Sequence, residues 1–323
     1  MVAREQLERA ADATGFPVDS LEKVSMLVRL LQAIASHPFL GPRVALKGGT
    51  ALNLFMFELP RLSVDIDLNY IGAVDREHMT RERPLLESAL LQVASRLGLT
   101  LKRAAEEHAG GKWRLSYSSA LGRPAIIEVD LNFMLRLPLW SVAPVASRPF
   151  LGDHHVRFKL LDPHEIAAGK LAALIARGAS RDLFDARELL SSTILERAKL
   201  RLAFVVYGGL NRVDWRRVSV ADVTSNIDEV QRQLLPMLRR ELRPAASEVA
   251  QWSAALLSET RALLGAVLPL TADELAFLER LNGEGVIEPS LLTTDPQFQR
   301  RIEDSPGLQW KALNVRRHIG ATE

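Results

Sequence analysis

The chain has 323 residues, 47% hydrophobic and 25% charged, a composition typical of a folded protein with room for two domains. Its formal net charge of +2 is too small to indicate nucleic-acid binding by itself, and the absence of cysteine excludes disulfides, thiolate metal sites and cysteine nucleophiles. No apolar stretch is long enough to span a bilayer, and the N-terminal segment lacks the apolar core of a secretory signal. We therefore expect a cytoplasmic protein that does not enter a membrane.

The first half of the chain has the pattern of a mixed α/β lobe. An amphipathic helix is predicted over residues 20–37, with Ser20 as its N-cap. The short apolar run Val44–Lys47 leads into a Gly-Gly-Thr turn, after which a helix is predicted up to Pro60. Alternation of apolar and polar residues, together with glycine turns, predicts the elements that follow: strand 63–71, helix 75–97, and strands around 99–103, 112–118, 125–133 and 155–160.

A change of pattern near residue 160 divides the chain. Asp162, Pro163 and Glu165 form a strong helix start, with an N-cap, a proline in the first helical position and a capping-box glutamate. Nearly everything after this point has helical periodicity. We therefore predict an α/β lobe over residues 1–160 and a helical lobe over residues 161–323.

Two carboxylates on the strand at 63–71 are candidate metal ligands. Asp65 and Asp67 are two residues apart, so both point to the same side of the strand, whereas Val64, Ile66 and Leu68 point to the core. Two negative charges held so close favour a cation between them, and Mg²⁺ prefers oxygen ligands. An Asp-x-Asp pair alone is weak support, since such pairs are common on exposed strands.

The turn before this strand strengthens the interpretation. Gly48, Gly49 and Thr50 lie between a strand and a helix, where glycines let backbone N–H groups approach a phosphate and the helix N-terminus attracts anions. The Thr50 hydroxyl could donate a further hydrogen bond. Taken alone, the same residues are better explained as an ordinary turn.

A third acidic residue is expected on the strand at 125–133. Glu128 and Asp130 share one face of this strand. If the strand pairs with the one that carries Asp65, one of the two completes a carboxylate triad with Asp65 and Asp67. Asp130 is our choice and Glu128 the alternative.

These residues resemble a known family. The segment LKGGTALNLFMFELPRLSVDIDL, with Lys47 before the glycines and Leu-Pro-Arg-x-Ser at 59–63, is similar to the signature of AbiEii-type nucleotidyltransferase toxins, which include the MenT-type toxins. Lys170 in HEIAAGKLAALIARG and the Arg-Asp-x-x-Asp element formed by Arg181, Asp182 and Asp185 also match family features, as does the tail LQWKALNVRRHIG. The likeness runs from about residue 24 to the end.

The resemblance implies an α+β fold: a polymerase-β-like nucleotidyltransferase core, in which helices flank a mixed sheet, followed by a mostly α-helical lobe that contributes Lys170, Asp182 and Asp185 to the cleft. It implies Mg²⁺ or Mn²⁺ bound by Asp65, Asp67 and Asp130. Lys170 and Asp185 would join these three in catalysis. The nucleotide-binding residues would be Lys47, Gly48, Gly49, Thr50, Arg181 and Asp182.

The resemblance also implies an activity and partners. The expected function is that of a toxin that transfers nucleotides from an NTP to RNA, with the tRNA 3′ end as acceptor, and that is paired with an antitoxin protein. The alternative is a nucleotidyltransferase acting on a protein or a small molecule, such as an antibiotic-modifying enzyme. Judged without the resemblance, Lys170 fits a lysine whose stem covers the core and whose ammonium is in water, and Asp182 and Asp185 fit ordinary helix-start acids.

Overall fold

The computed structural model describes residues 2–103, 110–152 and 155–320 of the chain. The chain divides into two compact units. The first consists of Met1–Arg136, Val142–Leu161 and Leu234–Arg243, and the second of Leu137–Ser141, Asp162–Gln233 and Pro244–Glu323. The predicted boundary near residue 160 therefore misses two short segments: 137–141 belongs to the second unit, and 234–243 belongs to the first.

The first unit is built on a mixed sheet of seven strands within the described residues. These strands are β1 (Val44–Lys47), β2 (Asp65–Tyr70), β3 (Thr100–Arg103), β4 (Gly110–Ser118), β5 (Pro124–Asn132), β6 (Ala143–Ala146) and β7 (Arg157–Leu160). Their order across the sheet is β3-β4-β5-β2-β1-β7-β6. The central strand β2 pairs antiparallel with β1 and parallel with β5. The predicted α+β class is confirmed; β6 was not predicted.

Helices of the first unit lie before and between these strands. They are α1 (Arg4–Thr14), α2 (Val18–Ser36), α3 (Gly48–Ala51), which continues as a π-helical turn over Leu52–Met56, and α4 (Arg76–Arg96). Helix α1 was not predicted from the sequence. The N-cap of α2 is Pro17, so the prediction of Ser20 as N-cap is wrong. Ser20 lies inside the first turn, where its hydroxyl contacts the sulfur of Met237 at 3.6 Å.

The two faces of the sheet differ in polarity because side chains alternate along each strand. Ile66, Leu68 and Tyr70 of β2 are fully buried on one face. The Tyr70 hydroxyl donates a hydrogen bond of 2.6 Å to Glu82 of α4, which places α4 on this apolar face. The acidic residues of β2 and β5 therefore point to the opposite face, where α3 begins.

The second unit is helical. Its helices are α5 (Pro163–Arg177), α6 (Ser180–Ser191), α7 (Arg197–Gly209), the single turn α8 (Ile227–Glu229), α9 (Val249–Leu263), α10 (Ala272–Glu279), α11 (Pro296–Glu303) and α12 (Pro306–Gly320). Several short 3₁₀ turns connect α7 to α9. Across the described part of the chain, none of the helices has the length and apolar character that crossing a bilayer requires.

The start of α5 confirms one prediction and corrects another. Asp162 is the N-cap and accepts a hydrogen bond of 2.9 Å from the backbone N–H of His164, with Pro163 in the first helical position. Glu165, however, does not complete a capping box. Its carboxylate accepts hydrogen bonds from the backbone N–H groups of Leu139 (3.0 Å) and Trp140 (3.2 Å), and buried N–H groups need such an acceptor.

Candidate active site

The glycine turn between β1 and α3 is shaped by a nearby carboxylate. Gly48 has a φ of +72°, a conformation that other residues adopt only with strain. A Cβ atom built on Gly48 would lie 2.0 Å from Oδ2 of Asp67. Only a glycine leaves room here for the Asp67 carboxylate, so the turn and the Asp-x-Asp strand meet at this point.

The next two residues of the turn contact β2 and the loop that leads into β2. The Thr50 hydroxyl donates a hydrogen bond of 2.5 Å to the backbone carbonyl of Asp65, and Thr50 is only 2% exposed. This bond fixes the start of α3 against β2. Because a hydroxyl has one proton to donate, the bond also occupies the hydroxyl donor of Thr50. A Cβ atom on Gly49 would lie 2.7 Å from the Ser63 hydroxyl and 3.0 Å from Arg61, so this glycine also allows close packing.

The strand register brings the acidic residues of β2 and β5 side by side. Asp65 is directly opposite Glu128, and Asp67 is directly opposite Asp130. Residues directly opposite each other in neighbouring strands point to the same face, with Cα atoms roughly 5 Å apart. All four carboxylates therefore lie on the polar face of the sheet, and Lys47, opposite Asp67 on β1, shares that face.

Two basic residues of β4 contact Glu128. One oxygen of Glu128 accepts a hydrogen bond of 2.9 Å from Lys112 Nζ, and the other lies 3.1 Å from Arg114 Nε. The pKa of the Lys112 ammonium is raised, first by this hydrogen bond to Glu128 and further by the negative charges of Glu128, Asp65 and Asp130. Glu128 is thus engaged by two cations.

Lys112 and Arg114 were not predicted from the sequence as site residues. The signal was present in Lys112-Trp113-Arg114-Leu115, whose alternation places both cations on one face of a strand. Trp113 and Leu115 are 1% and 0% exposed, so the opposite face of β4 is core. The strand order, which the sequence does not give, is what places these cations beside the carboxylates.

The donor set on the polar face fits a divalent ion that is shared with phosphate. In the described part of the chain, no three acidic or imidazole side chains converge closely enough to hold an ion by themselves. Mg²⁺ does not require such a cage, because it is usually bound by one or two carboxylates together with water and substrate phosphates. Asp67 and Asp130, opposite each other in register, supply two hard oxygen donors, and Gly48 leaves room for the Asp67 carboxylate.

The predicted residues of the second unit form a buried ion cluster. Lys170 Nζ lies 3.1 Å from Oδ1 of Asp182 and 2.8 Å from Oδ2 of Asp185, and both carboxylates are 1% exposed. Arg177 Nε lies 2.6 Å from the other oxygen of Asp182. Burial alone would raise the pKa of Asp182, but the charges of Lys170 and Arg177 outweigh it, so this pKa is lowered.

This cluster explains the spacing between the lysine and the two aspartates. Lys170 is on α5, and both aspartates are on the next helix, α6, three residues apart and therefore on one face. Lys170 is itself 9% exposed, so the interpretation as a lysine with its head in water is wrong. Arg181 precedes Asp182 and is partly exposed.

Several arginine clusters in the C-terminal half have structural partners. Arg216 pairs with Asp214 at 2.8 Å. Arg243 donates to the carbonyl oxygens of Gly15 (2.7 Å) and Pro236 (3.1 Å) within the first unit. These side chains hold loops and helix ends in place, so the clustering of arginines in the sequence does not by itself mark a nucleic-acid groove.

A comparison with protein families identifies this arrangement. Residues 29–262, more than two thirds of the chain, match the model of the family described as nucleotidyl transferase AbiEii toxin, type IV toxin–antitoxin system. The chain belongs to the AbiEii family. The glycine turn, the Asp-x-Asp strand, Asp130 and the Lys170 cluster all lie within the matched range.

Comparison with solved structures supports the fold of this AbiEii nucleotidyltransferase. The nucleotidyltransferase toxin MenT4 of Mycobacterium tuberculosis matches with a TM-score of 0.61 over 96% of this chain and 99% of its own. The two sequences are 18% identical, so the likeness concerns the fold. Among curated proteins, none matches this AbiEii chain in sequence.

Proposed function

We propose that this AbiEii nucleotidyltransferase transfers nucleotides from an NTP to RNA, with the 3′ end of tRNA as acceptor, and thereby blocks translation. The metal ligands are Asp65, Asp67 and Asp130. A modified 3′ end could no longer be aminoacylated, which accounts for toxicity. The protein acts in the cytoplasm, and membership of a toxin–antitoxin family implies an antitoxin partner and a nucleotide substrate.

The observation that supports this proposal is the register between β2 and β5. It sets Asp67 opposite Asp130, at the point where Asp67 touches the backbone of Gly48. An anion bound at the glycine turn would thus be adjacent to carboxylates that can share its metal ions. Lys47, Gly48, Gly49 and Thr50 are assigned to the nucleotide on this basis and from the family pattern.

The chemistry is a displacement at the α-phosphate. The terminal hydroxyl oxygen of the acceptor bonds to the α-phosphorus, the bond from that phosphorus to the bridging oxygen breaks, and pyrophosphate leaves. Mg²⁺ or Mn²⁺ would lower the pKa of the attacking hydroxyl and neutralise the leaving group. The hydroxyl proton passes to a carboxylate or to water.

The buried cluster on α5 and α6 has a supporting role in this proposal. Asp182 and Asp185 fix the ammonium of Lys170 from two sides. Lys170 is assigned to catalysis from the family pattern, and a lysine ammonium can stabilise the negative charge that builds on a phosphate during displacement. Arg181 is assigned to the nucleotide from the family pattern.

Incubation of the purified chain with Mg²⁺, α-labelled NTPs and total RNA tests this function. We expect label in tRNA, and loss of that label in Asp67→Asn, with full labelling in Asp12→Asn, a matched change at an exposed position of α1. Label that enters a protein or a small molecule instead would support the alternative acceptor class. Label transfer that survives in Asp67→Asn would overturn the proposed metal site.

A further inference from the structure

The open part of the polar face, on β4, has a charge that the proposed catalytic residues do not use. The side chains of Lys112 and Arg114 are 50% and 45% exposed, and both pair with the single carboxylate of Glu128. These three groups carry a net charge of +1. Exposed pairs of this kind contribute little to stability, so folding alone does not account for them.

The position of these cations relative to the carboxylates suggests what they bind. The glycine turn follows β1, on one side of the β2–β5 pair, and β4 is on the other side of that pair. In an in-line displacement the attacking and leaving oxygens are on opposite sides of the phosphorus. A triphosphate held at Gly48–Thr50 therefore leaves the β4 side for the attacking strand.

We propose that Lys112 and Arg114, held side by side by Glu128, bind the phosphodiester backbone of the acceptor RNA strand next to its reacting 3′ end. This inference rests on the proposed function and names the surface that receives its acceptor. Arginine offers a planar fork to phosphate oxygens, and lysine offers a compact charge. The two side chains are two residues apart on one strand, roughly 7 Å, and can contact successive parts of an extended backbone.

Charge balance supports an anionic occupant. Lys112 is attracted by Asp65 and Asp130 as well as by Glu128. Glu128 pairs with both Lys112 and Arg114, which leaves one positive charge among these three groups at β4. An additional anion is then favoured at β4, and a nucleic-acid backbone supplies one phosphate at each nucleotide.

Binding of a short 5′-fluorescein-labelled single-stranded RNA to the full chain, measured by anisotropy across a salt series, tests the proposal. In Lys112→Gln/Arg114→Gln we expect binding weakened about tenfold at low salt, with the slope of log K against log salt reduced by about 1.4, since each phosphate contact on a single strand contributes about 0.7. Lys112→Arg/Arg114→Lys should keep both the affinity and the slope.

The matched control is Arg4→Gln/Arg81→Gln, which removes two exposed, ion-paired arginines from α1 and α4. We expect it to bind RNA as the unsubstituted chain does. An unchanged affinity and slope in Lys112→Gln/Arg114→Gln would overturn the inference, as would equal weakening in the control. A chain that binds no RNA while it labels a protein would also overturn it.

Binding of each of the four Mg-NTPs, measured separately by calorimetry, distinguishes failure of this inference from failure of the proposed function. Lys112→Gln/Arg114→Gln should bind the preferred Mg-NTP as the unsubstituted chain does, whereas Asp67→Asn should lose this binding and keep RNA binding. If the unsubstituted chain binds none of the four Mg-NTPs, the proposed function fails, and the RNA salt series still reports on the β4 surface.

Discussion

Substitution of Gly48 by alanine tests two properties of this residue: its left-handed backbone conformation and the room that it leaves for the Asp67 carboxylate. The added methyl carbon would lie 2.0 Å from Oδ2 of Asp67, whereas ordinary contact begins at 3.4 Å. The carboxylate must therefore move by about 1.4 Å, the difference between these two distances. A misplacement of about 1 Å in an active site can cost roughly 100-fold in rate, so we expect at least this loss of nucleotidyl transfer.

Gly98 provides a matched control. Its φ of +76° is nearly that of Gly48, but a Cβ atom built on it meets nothing within 4 Å. A left-handed conformation costs an alanine about 1–2 kcal/mol, so Gly98→Ala should lower the free energy of unfolding by about this amount, and Gly48→Ala by at least as much because of its additional contact with Asp67. Only Gly48→Ala should also lose activity.

The assays are urea unfolding, followed by circular dichroism, and transfer of α-labelled NTP to RNA below the unfolding transition. Full activity in Gly48→Ala would refute the reasoning, because the Asp67 carboxylate would then tolerate displacement. Equal loss of activity in Gly98→Ala would refute it too, since backbone strain rather than contact with Asp67 would be responsible.

Three further predictions concern acidic residues and their partners. Asp130→Asn should lower the rate of nucleotidyl transfer about 100-fold or more, whereas Glu128→Gln should change this rate less than about tenfold, because Glu128 is engaged by cations. Initial rates at saturating Mg²⁺ compare the two variants. Lys170→Met leaves two buried carboxylates without their shared cation and should lower the free energy of unfolding in urea by about 3–5 kcal/mol; unchanged stability would contradict the buried cluster. The pKa of Asp182 is lowered from 3.8 in the folded state, so its contribution to stability should be lost as pH falls below about 4. Burial raises the pKa of Glu165 from 4.5 to about 7, so the folded state binds this proton more tightly than the unfolded state does. The free energy of unfolding should therefore fall by about 3 kcal/mol as pH rises from 4.5 to 7. This decline should vanish in Glu165→Gln, and a decline that persists there would belong to another group.

Local pattern predicted most of the first unit. The alternation of Ile66 and Leu68 with Asp65 and Asp67 fixes both the strand and the face of its carboxylates, since side chains in a strand alternate in direction. Helix ends were predicted less well. Ser20 satisfies the local rule for an N-cap, yet α2 begins two residues earlier, after Pro17.

The partners of charged residues depend on segments that are distant in the chain. Glu165 matches a capping box in sequence, but its carboxylate meets backbone N–H groups about 25 residues earlier. Lys112 and Glu128 are 16 residues apart and meet only because β4 and β5 pair in one particular register. A shift of one residue would turn every side chain of a strand to the other face.

By itself, the sequence determined which residues can carry the chemistry: a glycine turn before a helix, two carboxylates in period-two spacing, and a lysine followed by two aspartates one helical turn apart. Tertiary structure decided which of them meet. The β2–β5 register sets Asp67 opposite Asp130, and the close approach of Gly48 leaves space for the Asp67 carboxylate. The physical reason is that periodicity is a property of neighbouring residues, whereas register and close approach depend on packing between segments that local preferences do not specify.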